Sequence, residues 1–343
     1  MRTIVVSDLH LGDRRRYDVL RLPVVRDRLL EAIDDADRLV LLGDTLELMY
    51  RHPLRAIAAA EPVLRALGRM LGRTREVIVV PGNHDAPLVR GWALAQGGRL
   101  RASGEVPATA SPALERLVTW LAPARVRVSY PGVWLHPRIW ATHGHYLDHH
   151  LIPESAAGVL RPRRGGSGSR AATPIEYEHV HLRTRRSRES FPERLMARPV
   201  GTLLESAGAM VRAATIPALP RLLRSTGMAP VTAALLDVQM RRAAVPAMRR
   251  VVQRLGIEAD WVLFGHVHRR GPIGDEPWPA GAGPRFLNPG AWLYEPLLVD
   301  RATTPHPYWP GGAVLLEDDR PPQTVGLLDD VGAAQLQAMF SVG

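Results

Sequence analysis

Five short polar clusters carry the chemistry open to this sequence: Asp8-Leu9-His10, Gly43-Asp44, Gly82-Asn83-His84-Asp85, His143-Gly144-His145 and Gly265-His266-Val267-His268. Carboxylate, imidazole and side-chain amide are hard or borderline ligands, suited to first-row divalent ions. The 343 residues include no cysteine, so thiolate ligation, a disulfide framework and a cysteine nucleophile are excluded. All 44 basic residues are arginine, which excludes lysine Schiff bases and the lysine of a phosphate-binding P-loop. A metal bound here must sit on nitrogen and oxygen. Asp8 and His10, like His266 and His268, are alternate residues, and regular pleating would send them to opposite faces. They converge only where the backbone leaves strand geometry, a departure that the flanking Gly265 makes available.

Each cluster follows an apolar run of strand length. Ile4–Val6, Leu39–Leu42 and Val77–Val80 are separated by helical patterns over Leu20–Ala36 and Leu54–Leu71, with Pro23 and Pro62 placed at ends or kinks. This reads as βαβαβ with buried, parallel strands, whose carboxyl ends are where open α/β sheets bind ligands. Further strands are expected at Val126–Ser129, Ile139–Thr142, Trp261–Phe264, Arg285–Leu287 and Ala313–Leu316. Residues 151–255 break the rhythm: a Gly/Ser/Arg stretch at 161–170 leads into helical patterns interrupted by prolines, with no convincing strand. That segment holds 18 arginines against 7 acidic residues, a net of +11, whereas the remaining 26 arginines and 27 acids nearly cancel. The chain's net charge of +10 therefore belongs to the insertion.

The ordered series DxH, GD, GNHD, a histidine after a strand, and GHxH resembles the calcineurin-like metallophosphoesterase family, over roughly residues 1–150 and 256–292. The resemblance implies an α/β fold, a four-layer α/β/β/α sandwich of the metallophosphoesterase type with a helical insertion. Its phosphoesterase domain would comprise 1–150 and 256–343, and 151–255 would be a basic, proline-interrupted helical cap. The family's centre implies two divalent ions, manganese first, with iron, zinc or cobalt as alternatives. Asp8, His10 and His268 would hold one ion, Asn83, His143 and His266 the other, and Asp44 would bridge them. Such a pair shares a hydroxide that attacks phosphorus in line. His84 would then face the leaving-group oxygen, with Glu47 orienting it, while Glu47 as a helix N-terminal carboxylate is the competing reading. Asp85 is expected to brace its loop. His145, Asn288, Arg241 and Arg242 are candidates for substrate contact or for supporting the ligands, and Asn288-Pro289-Gly290 also reads as a plain turn. Asp148, His149 and His150 read as a polar loop.

Within the family the nearest resemblance is to the UDP-2,3-diacylglucosamine pyrophosphatase branch, through the Ser7-Asp8-Leu9-His10-Leu11 opening, Glu47 and a helical insertion between the histidine motifs. The chain departs from that branch at His84, where arginine is usual, and in lacking lysine in the cap. The resemblance implies a phosphorylated, lipid-linked substrate. An apolar stretch interleaved with arginines over 195–236 suits peripheral membrane contact, equally a cap packed on the core. A nuclease or nucleotide phosphodiesterase, binding phosphate backbone through the insertion, is the alternative, weakened by only Tyr177 and Phe191 for base stacking there. A non-catalytic scaffold is third, because no ligand position is lost. With no signal-peptide core after Met1, the expected location is cytoplasmic, at the inner face of the membrane. The oligomeric state has no sequence signal.

Overall fold

Strands β1 (Arg2–Val6), β2 (Arg38–Leu41), β3 (Glu76–Val79) and β5 (Arg125–Tyr130) pair in parallel, and β4 (Gly104–Val106) adds an antiparallel edge. On the other side of β1, β12 (Gly312–Glu317) and β13 (Arg320–Gly326) complete a seven-stranded sheet in the order β13-β12-β1-β2-β3-β5-β4. A second sheet has the order β11-β10-β7-β6, built from β6 (Gly132–His136), β7 (Ile139–Thr142), β10 (Trp261–Phe264) and β11 (Arg285–Leu287). The computed structural model describes residues 1–49, 53–154, 159–162, 171–189, 240–276, 283–300, 302–318 and 320–342.

Alternation along the strands accounts for the layers. Val5, Val40, Leu42, Ile78 and Val80 from the first sheet meet Val133, Leu135, Ala141, Leu263 and Leu287 from the second in a core of their own. Their neighbours Ile4, Val6, Leu39, Leu41, Val77 and Val79 join a different cluster. That cluster includes Val25, Leu29 and Ile33 of α1 (Pro23–Ile33), and Ala60, Leu64 and Leu67 of α2 (Pro53–Leu71). Burial on both faces is why these strands read as unbroken apolar runs. Helices α3 (Arg90–Gln96), α4 (Pro112–Trp120), α5 (Pro174–Glu189) and α6 (Val245–Arg254) follow in chain order, and in α6 Arg249 lies over the Phe286 ring of the second sheet. This is the expected mixed α/β sandwich. Pro23 starts α1 as its first helical residue, whereas α2 continues through Pro62.

All the expected strands are present, but the strand-free reading of 151–255 is corrected. β8 (Leu151–Glu154) and β9 (Val159–Pro162) form an antiparallel hairpin that pairs Leu151 with Pro162 and Glu154 with Val159. Pro153 and Pro162 hid it, since proline suits a strand only where its missing N–H is not needed, as at the edges of a two-stranded ribbon. β13 was masked in the same way by Pro321 and Pro322 on the border of its sheet. The Gly/Ser/Arg stretch beyond Pro162 and the 195–236 segment lie outside the described residues. Among the described residues, no helix is long and apolar enough to cross a membrane.

Asp18, buried beside α1, accepts the Gly12 N–H at 3.1 Å. Burial, reinforced by Asp13, pushes its carboxyl up to about 6. A raised acid favours the folded state below its unfolded value of 3.8, and that benefit is lost as pH rises through 6. Asp18→Asn, neutral throughout, is expected to stabilise the chain at pH 8 by on the order of 2–3 kcal/mol and hardly at all at pH 4. Thermal unfolding of both proteins at the two pH values checks this, and an equal shift at both would refute it.

Candidate metal centre

The sequence clusters meet at the carboxyl ends of β1, β2, β3, β7 and β10, where Asp8, His10, Asp44, Asn83, His143, His266 and His268 are all buried. Convergence of the alternate pairs is achieved by these residues themselves. Asp8, His10, Asp44, His266 and His268 have φ of 55°, 44°, 49°, 70° and 56°, in the left-handed region. For residues with a Cβ this costs about 1–2 kcal/mol each, so the surrounding structure must impose it. Gly265 has another role than the sequence suggested. A Cβ there would lie 1.9 Å from Ser7 Oγ and 2.6 Å from Asp8 Oδ2, so its small size is what lets the two loops touch. Gly43, at φ +87°, does both: its backbone is left-handed, and a Cβ would fall 2.2 Å from His143 Nδ1.

Two donor sets result. In the first, His268 Nε2 is 3.2 Å from His10 Nε2 and 3.3 Å from Asp8 Oδ1, and His10 Nε2 is 3.8 Å from Asp8 Oδ1. Cis donors about 2.1 Å from one ion stand about 3.0–3.4 Å apart, so this triangle closes on an ion with little movement. In the second, the His143 Nδ1–H donates to the Leu42 carbonyl at 3.2 Å, leaving Nε2 at 3.0 Å from Asn83 Oδ1 and 3.3 Å from Asp44 Oδ2. Ligand atoms of Asp44, His143 and His266 lie within 4.8 Å of one another. Asp44 stands between the sets: Oδ1 accepts the His84 N–H at 2.8 Å, while Oδ2 is 3.3 Å from His143 Nε2 and 3.7 Å from His10 Nε2.

The electrostatics suit cations. Burial opposes ionisation of Asp8 and Asp44, but His268 overcomes it at Asp8, lowering it to about 2, and His143 and His84 hold Asp44 well below the usual carboxylate range. Burial likewise opposes charge on His143, yet Asp44, then Asp8 and Asp85, hold its imidazolium up to about 10. His266 Nδ1 is buried with no hydrogen-bond partner among the described residues, a costly state for a polar atom that ligation relieves. All-nitrogen-and-oxygen donors of this kind fit a pair of first-row divalent ions.

Glu47 grips two imidazoles. Its oxygens lie 2.7 and 2.8 Å from His84 Nδ1, and Oε2 is 3.0 Å from His10 Nδ1. Although burial raises its pKa, His84 and His10 together hold Glu47 far below the usual range. His84 Nε2 faces the centre, 4.0 Å from Asp44 Oδ2. Asp85 is a brace, accepting backbone N–H groups from Thr45 at 2.8 Å and from Gly82; burial, then Asp44, pushes it up to about 6. Asn288 is another: its Nδ2 donates to the Gly265 carbonyl at 2.9 Å and its Oδ1 accepts from Gly290 at 2.8 Å, so its amide supports the GHVH loop.

The remaining candidates lie around this centre. The His145 ring is 5.6 Å from that of His143, and its Nε2 is 3.5 Å from the Tyr130 hydroxyl. Behind it, the hydroxyls of Tyr130 and Tyr146 both donate to Glu178, a buried carboxyl raised by desolvation. Arg241 pairs with Glu276 at 3.6 Å, and Glu276 also receives Arg269, so this arginine ties its turn to the loop after His268. Arg242 is exposed on the same turn. Sequence reasoning missed the second partner of Glu47 and missed Asp148, whose Oδ1 is 3.0 Å from His266 Nε2.

The calcineurin-like phosphoesterase family model matches residues 1–181. No curated protein matches the chain. Among solved structures, a nuclease from Pseudomonas putida is similar at 18% identity and a TM-score of 0.25, over 45% of this chain. The chain spans 56% of that nuclease's length. A dimetal phosphatase from Danio rerio is similar at 14% identity over 95% of this chain and 99% of its own, with a TM-score of 0.39. A cold-active protein-tyrosine phosphatase of a psychrophilic Shewanella is similar at 14% identity over 94% and 80%, with a TM-score of 0.28. These overlays are loose, and the assignment rests on the family match. Because that match takes in 181 of 343 residues, the chain belongs to the calcineurin-like phosphoesterase family.

Proposed function

We propose that the chain hydrolyses a phosphoester or pyrophosphate bond at a dinuclear centre held by Asp8, His10 and His268 on one side and Asn83, His143 and His266 on the other. The observation that carries this reading is Asp44 Oδ2, a single oxygen that faces both His10 Nε2 at 3.7 Å and His143 Nε2 at 3.3 Å. Two divalent ions bound there supply an activated water at neutral pH and neutralise phosphoryl oxygens. The chain's own residues do the rest. His84 Nδ1–H donates a hydrogen bond to Glu47, which orients the ring and supports a charged imidazolium, so that its Nε2–H can be given to the departing oxygen. Asp85 and Asn288 fix the loops that present the ligands, and the buried setting strengthens each of these interactions.

For the substrate, the reading rests on the sequence of the cap, 151–255. Its net +11 suits an anion, and the apolar residues among the arginines of 195–236 suit a lipid-linked phosphate met at the cytoplasmic face of a membrane, as in the UDP-2,3-diacylglucosamine pyrophosphatase branch. The same charge supports a second reading, a nuclease or nucleotide phosphodiesterase. A screen with Mn²⁺ over aryl phosphomonoesters and diesters, a nucleoside diphosphate sugar, a lipid-linked diphosphate and single-stranded DNA separates them. Chelator-sensitive hydrolysis of the aryl diester is expected. Fastest turnover of the lipid-linked diphosphate, with liposome co-sedimentation lost on deleting 195–236, supports the lipid reading. Steeply salt-dependent DNA cleavage supports the nuclease. No bound Mn, Fe, Co or Zn together with no aryl diester hydrolysis would overturn the proposal.

A further inference from the structure

The turn at His145–His150, directly after β7, carries a half-buried carboxylate, Asp148, whose Oδ1 lies 3.0 Å from Nε2 of His266. A carboxylate accepts but does not donate, so a neutral imidazole at that distance carries its proton on Nε2. Nδ1 of His266 then holds the ring's lone pair. That atom is buried and has no hydrogen-bond partner among the described residues, and His266 belongs with Asp44 and His143 in one ligand group. The backbone of His266 is fixed separately, by its left-handed φ and by its N–H donating to Asp8 Oδ2 at 3.0 Å. What remains to be set is the rotation of the ring and the choice of nitrogen, and Asp148 meets both needs.

We propose that Asp148 is a positioning residue that holds His266 in the Nε2–H tautomer with Nδ1 turned to the second ion, which rests on the reading of His266 as a ligand. A carboxylate in this position fixes the tautomer and removes the freedom of ring rotation. A positioning residue must itself be held, and the turn is held on two sides. Tyr146 stacks on Tyr177 of α5 with centroids 4.6 Å apart, and His150 Nε2 is 2.7 Å from the Tyr177 hydroxyl. Helix α6 packs against the same turn. Helices α5 and α6 flank residues 190–244 in sequence, so the side chain that aims His266 stands on a turn packed against two helices of the arginine-rich cap.

The test is a titration of Mn²⁺ into the metal-stripped full chain, with free Mn²⁺ followed by electron paramagnetic resonance. The native chain is expected to take up two ions. Asp148→Ala is expected to weaken one of them about 10–100-fold and leave the other unchanged. Asp148→Asn, which keeps the shape and an acceptor oxygen, is expected to fall between, and it decides the matter if the alanine variant does not fold. The melting temperature of the metal-free chain is expected to stay the same. Native-like affinity at both sites in both variants would overturn the proposal, as would equal loss at both sites with a lower metal-free melting temperature. A native chain that takes up no pair of ions would instead overturn the reading of the centre.

Discussion

Asp44→Asn is expected to lower hydrolysis by about 10³-fold or more and to reduce bound metal from two ions per chain to at most one. The amide can keep the existing bond from the His84 N–H through Oδ1. It then turns an NH2 group toward His10 Nε2 and His143 Nε2, where the carboxylate presented Oδ2. An anion facing both donor sets is replaced by a donor that repels both ions, while the shape of the side chain is preserved. Metal content per chain and the rate on an aryl phosphodiester are the two readings. Full activity, or two ions retained, would refute the bridging role.

His84→Ala is expected to lower kcat by about 10²–10⁴ and leave both ions in place, because proton donation and not ligation is removed. The loss should grow as the leaving group becomes more basic, since a phenolate such as p-nitrophenolate departs without help and an alkoxide does not. Glu47→Gln provides the contrast. Glu47 contacts Nδ1 of both His84 and His10, so its loss is expected to impair turnover and also to weaken the ion at Asp8, His10 and His268. A uniform loss across leaving groups in His84→Ala, or a missing ion, would remove His84 from the proton-donor role.

The sandwich was legible because its strands are apolar on both faces, as the separate clusters around Val5-Val40-Ile78 and Ile4-Leu39-Val77 make plain. Five strands were not: β4, β8, β9 and β13 are short or carry proline and show no alternation that separates them from loop, and β6 follows β5 after Pro131 alone. The meeting of the five clusters was legible from motif order, but their convergence was attributed to glycine, whereas the left-handed turn is made at Asp8, His10, Asp44, His266 and His268 themselves. Backbone strain of that kind has no signature in composition. The contacts of Asn288 with Gly265, of Glu47 with His10 and of Asp148 with His266 show a further limit. Each joins residues distant in sequence, 118 positions apart for Asp148 and His266, and no local spacing encodes such a pairing.

The contact between His10 and His268 joins residues 258 positions apart, and the His266 N–H reaches back to Asp8 over the same separation. During synthesis Asp8, His10, Asp44, Asn83 and His143 emerge first and remain open on the side that the histidines of the GHVH loop will close. One donor set lacks His266 and the other His268 until β10 has added alongside β7. On the proposed reading of the centre, ion capture would be a late event in the life of the nascent chain, one that tethers its beginning to its end. The metals would act as the clasp of a fold already threaded, which delays water-activating chemistry until the cap between the two histidine motifs has been made.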